Sequence, residues 1–238
     1  MYSGFFGQSS FARLTAVHKS SIVKVAPDTN LELLAPLGCG LQTGAGAVLN
    51  TLNVQPGKTV AVFGAGSVGM SAIMAAKIRG AKEIIAVDIQ QSRLDLAAKL
   101  GATQTILGND PDIIAKIQKV SPPNGVNYAV DCSGVPKVVE TMVDCLGTRG
   151  KAASVGAPTP GQRSGIDVFS HLVSGKEYVG CCEGDAVPKD LIAFLIDQHA
   201  KGNYPIEELV TTYDVKDFDK AIKDTKEGRA LKAVLKWA

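Results

Sequence analysis

The sequence predicts an α/β fold in which six parallel strands form a sheet covered by helices on both faces. Two observations lead to this prediction. Short, nearly continuous apolar runs alternate with helical patterns from residue 59 to residue 181, as is typical of strands that are buried on both faces. A glycine-rich turn also joins the first of these strands directly to the helix that follows it. Regular alternation of this kind is the pattern of a doubly wound sheet.

The strands and helices of this sheet follow one another along the chain. Strands are expected at residues 59–63, 84–87, 104–107, 126–131, 150–155 and 177–181. Helices are expected at residues 67–79, 91–100, 111–120 and 136–145. Short connections between these elements suit a compact α/β domain.

The flanking parts of the chain have different patterns. Two short strands at residues 10–17 and 21–25 precede a Gly- and Ala-rich helix at residues 36–52. After Gly180, helices at residues 188–201 and 217–227 accompany strands at 209–213 and 232–236. We therefore divide the chain into a partial domain (1–40), the sheet domain (41–182) and a C-terminal segment (183–238) that packs back onto the first part.

The composition is that of an ordinary globular protein. Apolar residues make up 45% of the 238 residues and charged residues 20%, with a net charge of +2, so neither nucleic acid nor a membrane is an expected partner. The N-terminus has no signal-peptide pattern. Five cysteines without a C-x-x-C motif predict reduced thiols and a cytoplasmic protein.

The glycine-rich turn carries the clearest functional signal. The motif G-x-G-x-x-G is formed by Gly64, Gly66 and Gly69. The first glycine permits a tight turn, the second lets the backbone approach a pyrophosphate, and the third lets helix and strand pack closely. The helix that begins near Ser67 and Val68 offers unpaired N–H groups to the phosphates.

An acidic residue follows at the position that this motif requires. Asp88 ends the second strand, nineteen residues after Gly69. A carboxylate there accepts hydrogen bonds from a ribose 2′-hydroxyl and repels a 2′-phosphate, which favours NAD over NADP. The alternative is a glycine turn that joins strand and helix without a ligand. Strand, helix, second strand and acid together favour a binding site for NAD.

Residues 38–47 and 54–69 resemble the zinc-containing medium-chain alcohol dehydrogenases. Residues 5–12 and 183–188 resemble, within that family, the aryl-alcohol (benzyl-alcohol) dehydrogenases. The resemblance extends over the whole chain, which corresponds to the later two-thirds of a family member. It implies a complete NAD-binding Rossmann domain flanked by remnants of a GroES-like catalytic domain, so that the chain represents an N-terminally truncated enzyme.

The resemblance also implies roles for individual residues. Cys39 matches one zinc ligand of the family, whose other ligands lie upstream of the matched residues, and the four-cysteine structural lobe has no counterpart here. The implied cofactor contacts are Thr43 at the nicotinamide, Arg93 at the adenosine ribose, Ser133, Val155 and Gly156 at strand ends, and Lys232 at the pyrophosphate. For Arg93 a solvated surface charge is the alternative, and Glu183 lies near the nicotinamide without an assigned role. The other four cysteines are expected to be buried free thiols.

The activity implied by the resemblance is zinc-dependent, NAD-linked oxidation of a primary, aryl alcohol to an aldehyde. No catalytic residue is assigned beyond the metal ligand. Two alternatives stay open. One is an inactive NAD(H)-binding fragment, or a partner subunit that dimerises with complete enzymes through the sheet edge near residues 177–181, and the other is a zinc-free NAD(P)H quinone or enone reductase. The expected partners are a small alcohol or aldehyde and a second copy in a homo-oligomer.

Overall fold

The computed structural model describes residues 11–121 and 123–237. Residues 5–10 of the family-like stretch and Ser10 of the first predicted strand lie outside the described residues. The described chain forms two compact units. One unit is Leu37–Pro205, and the other combines residues that precede Leu37 with residues that follow Pro205.

The Leu37–Pro205 unit contains a parallel sheet. Its strands are β1 (Thr59–Phe63), β2 (Glu83–Asp88), β3 (Gln104–Leu107), β4 (Val126–Asp131), β5 (Leu146–Ser154) and β6 (Glu177–Gly180). They lie in the order β3-β2-β1-β4-β5-β6, and every neighbouring pair is parallel. The predicted six-stranded Rossmann fold is therefore confirmed. The order reverses between β1 and β4, where ligands bind in such sheets.

Helices cover both faces of this sheet. Those of the Leu37–Pro205 unit are α2 (Gly40–Gly46), α3 (Ser67–Ile78), α4 (Gln91–Leu100), α5 (Ile113–Val120), α6 (Pro136–Asp144), α7 (Val168–Ser174) and α8 (Pro188–Ala200), and the other unit contains α1 (Leu31–Leu34) and α9 (Phe218–Lys226). All five residues of β1 are buried. Phe63, Ile85 and Met142 belong to the core between sheet and helices. The strands read as continuous apolar runs because both of their faces are covered.

The second unit is small. It contains α1, α9 and a parallel pair of strands, β7 (Val210–Asp214) and β8 (Lys232–Lys236). Lys236 of β8 pairs with Glu32 of α1 at 2.6 Å, so the two ends of the chain meet within this unit. The division into a partial catalytic domain, a cofactor domain and a returning segment stays a prediction.

Some local predictions were wrong. No strand forms at residues 11–17 or 21–25; a short 3-10 helix, Lys19–Ser21, lies between two stretches without regular structure. An isolated hairpin is marginal in water, and the alternating pattern finds no sheet here to pair with. Helix α7 is not among the predicted helices; a loop is expected at its position. The predicted helix at 36–52 consists of three segments: a 3-10 helix (Ala35–Gly38), α2 and a π-helix (Ala47–Thr51).

None of the helices in the described part of the chain is both long and apolar enough to cross a membrane.

Candidate functional site

The glycine-rich turn connects β1 to α3 at the point where the strand order reverses. Gly64 has φ +91°, a conformation that L side chains rarely adopt. A Cβ on Gly69 would lie 1.9 Å from the carbonyl oxygen of Gly64, so only glycine permits this approach of helix to strand. A Cβ on Gly66 would meet nothing within 4 Å. The turn therefore leaves open space at the glycine where a pyrophosphate needs to approach the backbone.

The start of α3 suits an anion. Gly66 is the N-cap, and Ser67 and Val68 begin the helix. Within the described chain no side chain caps this end, and no acidic residue lies in the first turn. The first N–H groups of the helix and its positive dipole end are therefore available to a phosphate.

Asp88 connects the end of β2 to this turn. Its side chain is buried. One carboxylate oxygen accepts a hydrogen bond from the Ala65 N–H at 2.7 Å, and the other accepts from the Gln90 N–H at 2.9 Å. Arg93, in the first turn of α4, places Nη1 3.6 Å from Oδ2 of Asp88. Since each carboxylate oxygen has two lone pairs, Asp88 retains acceptor capacity for a ribose hydroxyl.

The loops after β4 and β5 contain the predicted residues Ser133, Val155 and Gly156. Asp131, fully buried at the end of β4, accepts hydrogen bonds from the Ser133 N–H (2.8 Å) and Oγ (2.6 Å). A Cβ on Gly156 would lie 2.1 Å from the Gly134 nitrogen. These glycines are thus required by the contact between the two loops, whether or not a ligand is present. The sequence analysis assigns no role to Asp131, although the stretch Asp-Cys-Ser-Gly at a strand end is a signal that could have found it.

A second acidic residue lies beside Cys39 and Thr43. The Cys39 thiol donates to Oε1 of Glu183 at 3.5 Å, and the Thr43 hydroxyl lies 3.4 Å from Oε2. Gln42 Nε2 also donates to Oε2, at 3.2 Å. The Thr43 hydroxyl lies 3.0 Å from the carbonyl oxygen of Cys39 as well. The structure therefore brings together the predicted metal ligand, the predicted nicotinamide contact and an acid that had no assigned role.

The remaining cysteines differ from Cys39. Cys145 is fully buried, and burial raises the pKa of its thiol to about 12. Burial, reinforced by the neighbouring Asp131, also raises the pKa of Cys132, and burial raises that of Cys181. Burial thus disfavours the thiolate forms of these three cysteines, which are the forms that bind a metal ion. Cys182 is exposed, and Cys132 and Cys181 are only partly buried, so the prediction of buried thiols was wrong for Cys182 and holds only in part for the other two. Cys182 lies two residues beyond the end of β6, in a surface turn.

The described residues do not complete a zinc site. Among them, no group of three or more His, Cys, Asp or Glu side chains is arranged to hold a metal ion. A catalytic zinc takes three protein ligands. Cys39 supplies a thiol, and Glu183 is the acidic side chain beside it. The residues present thus fit part of a zinc site and not the whole of it.

Lys232 begins β8 and belongs to the smaller unit. Its proposed contact with the pyrophosphate stays a prediction.

Comparisons with known proteins agree with this geometry. A family model described as zinc-binding dehydrogenase matches residues 67–198, more than half of the chain. Geraniol dehydrogenase of Castellaniella defragrans is 36% identical over 98% of this chain and 62% of its own length. The S-(hydroxymethyl)glutathione dehydrogenase of Saccharomyces cerevisiae is 34% identical over 98% of this chain and 61% of its own length.

A solved structure matches equally well. Benzyl alcohol dehydrogenase from Acinetobacter calcoaceticus superposes with a TM-score of 0.95 at 44% identity, covering 98% of this chain and 64% of that one. The chain spans about three fifths of the length of the curated relatives that it matches.

A doubly wound sheet with a G-x-G-x-x-G turn and a buried acid at the end of β2 defines a protein of the dinucleotide-binding α/β class. Within that class, the chain belongs to the zinc-binding dehydrogenase family.

Proposed function

We propose that the chain forms the NAD(H)-binding part of a zinc-type alcohol dehydrogenase. The observation that carries the proposal is the position of Asp88 beside the Gly64–Gly69 turn, to which it is hydrogen-bonded through the Ala65 N–H. The open space at Gly66, the uncapped start of α3 and the buried carboxylate lie along one edge of the sheet. A turn without a ligand requires the first and third glycines, but it does not require open space at the second.

The residues divide the task of holding NAD. Gly66, Ser67 and Val68 present backbone N–H groups to the pyrophosphate. Asp88 accepts from the adenosine ribose, and Arg93 is placed to reach the same ribose. Thr43 and the loops at Ser133, Val155 and Gly156 contact the nicotinamide half of the cofactor. Lys232 is a further contact to the pyrophosphate. Bound NAD supplies the acceptor for a hydride from the alcohol carbon.

The substrate class follows from the relatives. Printed names among them include geraniol dehydrogenase and benzyl alcohol dehydrogenase. Both geraniol and benzyl alcohol are primary alcohols with a double bond or ring beside the hydroxyl-bearing carbon. We propose a primary alcohol of this kind, including aryl alcohols, as the substrate that is oxidised to an aldehyde. Cys39 is the residue that we propose as a zinc ligand, and we derive no catalytic step through zinc because the described ligand set is incomplete.

A second copy of the chain is a proposed partner. β6 is the last strand of the sheet that the described residues form, and none of those residues adds a strand to its outer edge, which is therefore available to another strand. Beside it, α7 exposes four apolar side chains, Val168, Phe169, Leu172 and Val173, each more than 60% accessible. Sedimentation equilibrium would test this dimer: a Leu172→Glu chain is expected to be monomeric, and a monomeric unaltered chain at micromolar concentration would contradict the proposal.

The proposed function is tested by NADH titration together with elemental analysis for zinc. We expect saturable NADH binding at micromolar concentrations by the folded chain, and weaker binding of NADPH because Asp88 repels a 2′-phosphate. A folded chain, verified by circular dichroism, that binds neither cofactor would refute the cofactor site. Zinc at about one equivalent that is lost in Cys39→Ser would support the metal ligand, and zinc unaffected by that substitution would contradict it.

A further inference from the structure

Glu183 lies on the half of the fold that receives the second nucleotide. In a doubly wound sheet the two mononucleotide halves lie on either side of the point where the strand order reverses. Asp88, the last residue of β2, marks the adenosine half. Glu183 follows β6, the last strand of the other half. Topology therefore places its carboxylate toward the nicotinamide end of a bound NAD.

The carboxylate has hydrogen-bond donors around it but no cation. Cys39, Gln42 and Thr43 contact its two oxygens. Among the described residues, no Lys, Arg or His nitrogen lies within ion-pair distance of Glu183. Gln42 is buried, and its Oε1 has no hydrogen-bond partner. An uncompensated negative charge beside an unpaired buried acceptor fits a ligand that is positively charged and carries N–H donors.

The backbone around Glu183 is strained, and its surroundings hold it in that conformation. Glu183, Gly184 and Asp185 have φ values of +50°, +75° and +45°, and such conformations of residues other than glycine persist only where the surroundings impose them. The turn packs backbone to backbone on α2, since a Cβ on Gly184 would lie 2.6 Å from the Gln42 carbonyl oxygen.

Two side chains of the π-helix fix the same turn. Asn50 donates to the Gly184 carbonyl at 3.0 Å, and Thr51 donates to Asp185 at 2.7 Å. The position of the carboxylate is thus determined through Gly184 and Asp185 by three separate contacts.

We propose that Glu183 selects the oxidised cofactor: its charge stabilises the cationic nicotinamide ring of NAD⁺ relative to the neutral ring of NADH, and Gln42 and Glu183 accept hydrogen bonds from the carboxamide. The inference rests on the proposed NAD site. A carboxylate a few ångströms from a cation in a partly desolvated site favours the cationic form by several-fold or more. The residue is therefore a determinant of cofactor redox state, separate from the metal ligand.

The test compares the dissociation constants of NAD⁺ and NADH by calorimetry on the full 238-residue chain, treated with EDTA so that bound metal does not contribute. In Glu183→Gln we expect the ratio Kd(NAD⁺)/Kd(NADH) to rise on the order of tenfold, mainly through weaker NAD⁺ binding. Glu183→Asp keeps the charge and is expected to retain most of the preference. Both ligands are measured on one sample, so a partly unfolded fraction cancels in the ratio.

The matched control is Glu83→Gln. Glu83 begins β2 at the amino end of the strand, away from the loops at the carboxyl ends, so the same charge is lost without contact with the site; its ratio is expected to stay unchanged. Glu183→Ala serves as a second neutral variant if Glu183→Gln does not fold. An unchanged ratio in the neutral variants, or equal weakening of both cofactors, would overturn the inference while leaving the NAD site intact. An unaltered chain that binds neither cofactor would refute the proposed function as well.

Discussion

The two ends of the proposed cofactor crevice are built on the same plan but held by different means. At one end, Asp88 is the last residue of β2 and accepts a hydrogen bond from the turn at Ala65, 23 residues earlier. At the other end, Glu183 follows β6 and accepts from Cys39 and from Gln42 of α2, about 140 positions earlier. The first turn uses glycine at its one left-handed position, Gly64, whereas the second places Glu183 and Asp185 in left-handed conformations.

This difference separates a generic device from a specific one. The Gly64–Gly69 turn has little strain, because glycine adopts positive φ without a steric penalty. The turn at residues 182–185 has two non-glycine residues at positive φ, each of which costs about 1–3 kcal/mol. That cost is offset by Asn50, Thr51 and the contact between Gly46 and Gly184. The first end thus recognises what all NAD molecules share, and the second is placed to discriminate between redox states.

The largest expected effects come from two glycine substitutions in the first turn, one of which lowers stability and the other NADH affinity. In Gly69→Ala the new Cβ meets the Gly64 carbonyl oxygen at 1.9 Å, so we expect a loss of about 3 kcal/mol in the free energy of unfolding. In Gly66→Ala the Cβ has room and φ is −76°, so stability is expected to be unchanged or to rise by about 0.5 kcal/mol. NADH affinity is nevertheless expected to fall about 100-fold or more, because the methyl group occupies the space of the pyrophosphate. Urea unfolding and NADH titration measure the two quantities.

The Gly66→Ala chain tests whether the pyrophosphate lies against this turn. If it bound NADH as tightly as the unaltered chain, the pyrophosphate would not lie there.

The second end is tested by a matched pair of glycines. Gly184 and Gly57 both have φ +75°, but a Cβ on Gly57 would meet nothing within 4 Å, whereas one on Gly184 would meet α2. We expect Gly57→Ala to cost about 1 kcal/mol, from the backbone conformation alone. Gly184→Ala is expected to cost about 2 kcal/mol more, because the turn must move off α2. Thermal or urea unfolding gives both values.

Movement of this turn would displace Glu183. The NAD⁺/NADH ratio of Gly184→Ala is therefore expected to shift in the direction of Glu183→Gln. Equal costs for the two alanine variants would show that the packing of the turn on α2 contributes nothing.

The first end could be predicted from the sequence and the second could not, for a physical reason. Gly64, Gly69 and Asp88 lie within one strand–helix–strand unit, so spacing along the chain translates directly into geometry. The approach of Glu183 to Cys39 depends on how β6, its turn and the π-helix pack together. No local pattern encodes that packing; Gly184 and Asp185 are residue types that often adopt positive φ, but Glu183 is not, so the sequence does not predict three consecutive left-handed residues.

The same reasoning explains the failures at the edges of the fold. The apolar alternation of residues 11–17 predicts a strand only if a partner strand is present, and the described chain offers none. Helix α7 has only seven residues, which is shorter than the window of about 11–18 residues over which helical periodicity can be recognised.

The smallest expected effect comes from Asp88→Asn, which tests whether the two acids act independently. The buried amide cannot accept from both the Ala65 and Gln90 N–H groups as well as the carboxylate does, so stability is expected to fall by about 1–2 kcal/mol. Without the charge, a 2′-phosphate is no longer repelled, and Arg93 is released from Asp88 to bind it. We expect the preference for NADH over NADPH to fall about tenfold.

The NAD⁺/NADH ratio is expected to stay constant, since Asp88 lies at the adenosine end, and Glu183→Gln is expected to show the reverse pattern. Asp95→Asn, an exposed position on α4 with the same chemical change, should alter neither ratio. If Asp88→Asn shifted the redox ratio as much as Glu183→Gln did, the preference for NAD⁺ would reflect the net charge of the domain and not the position of Glu183 beside Cys39.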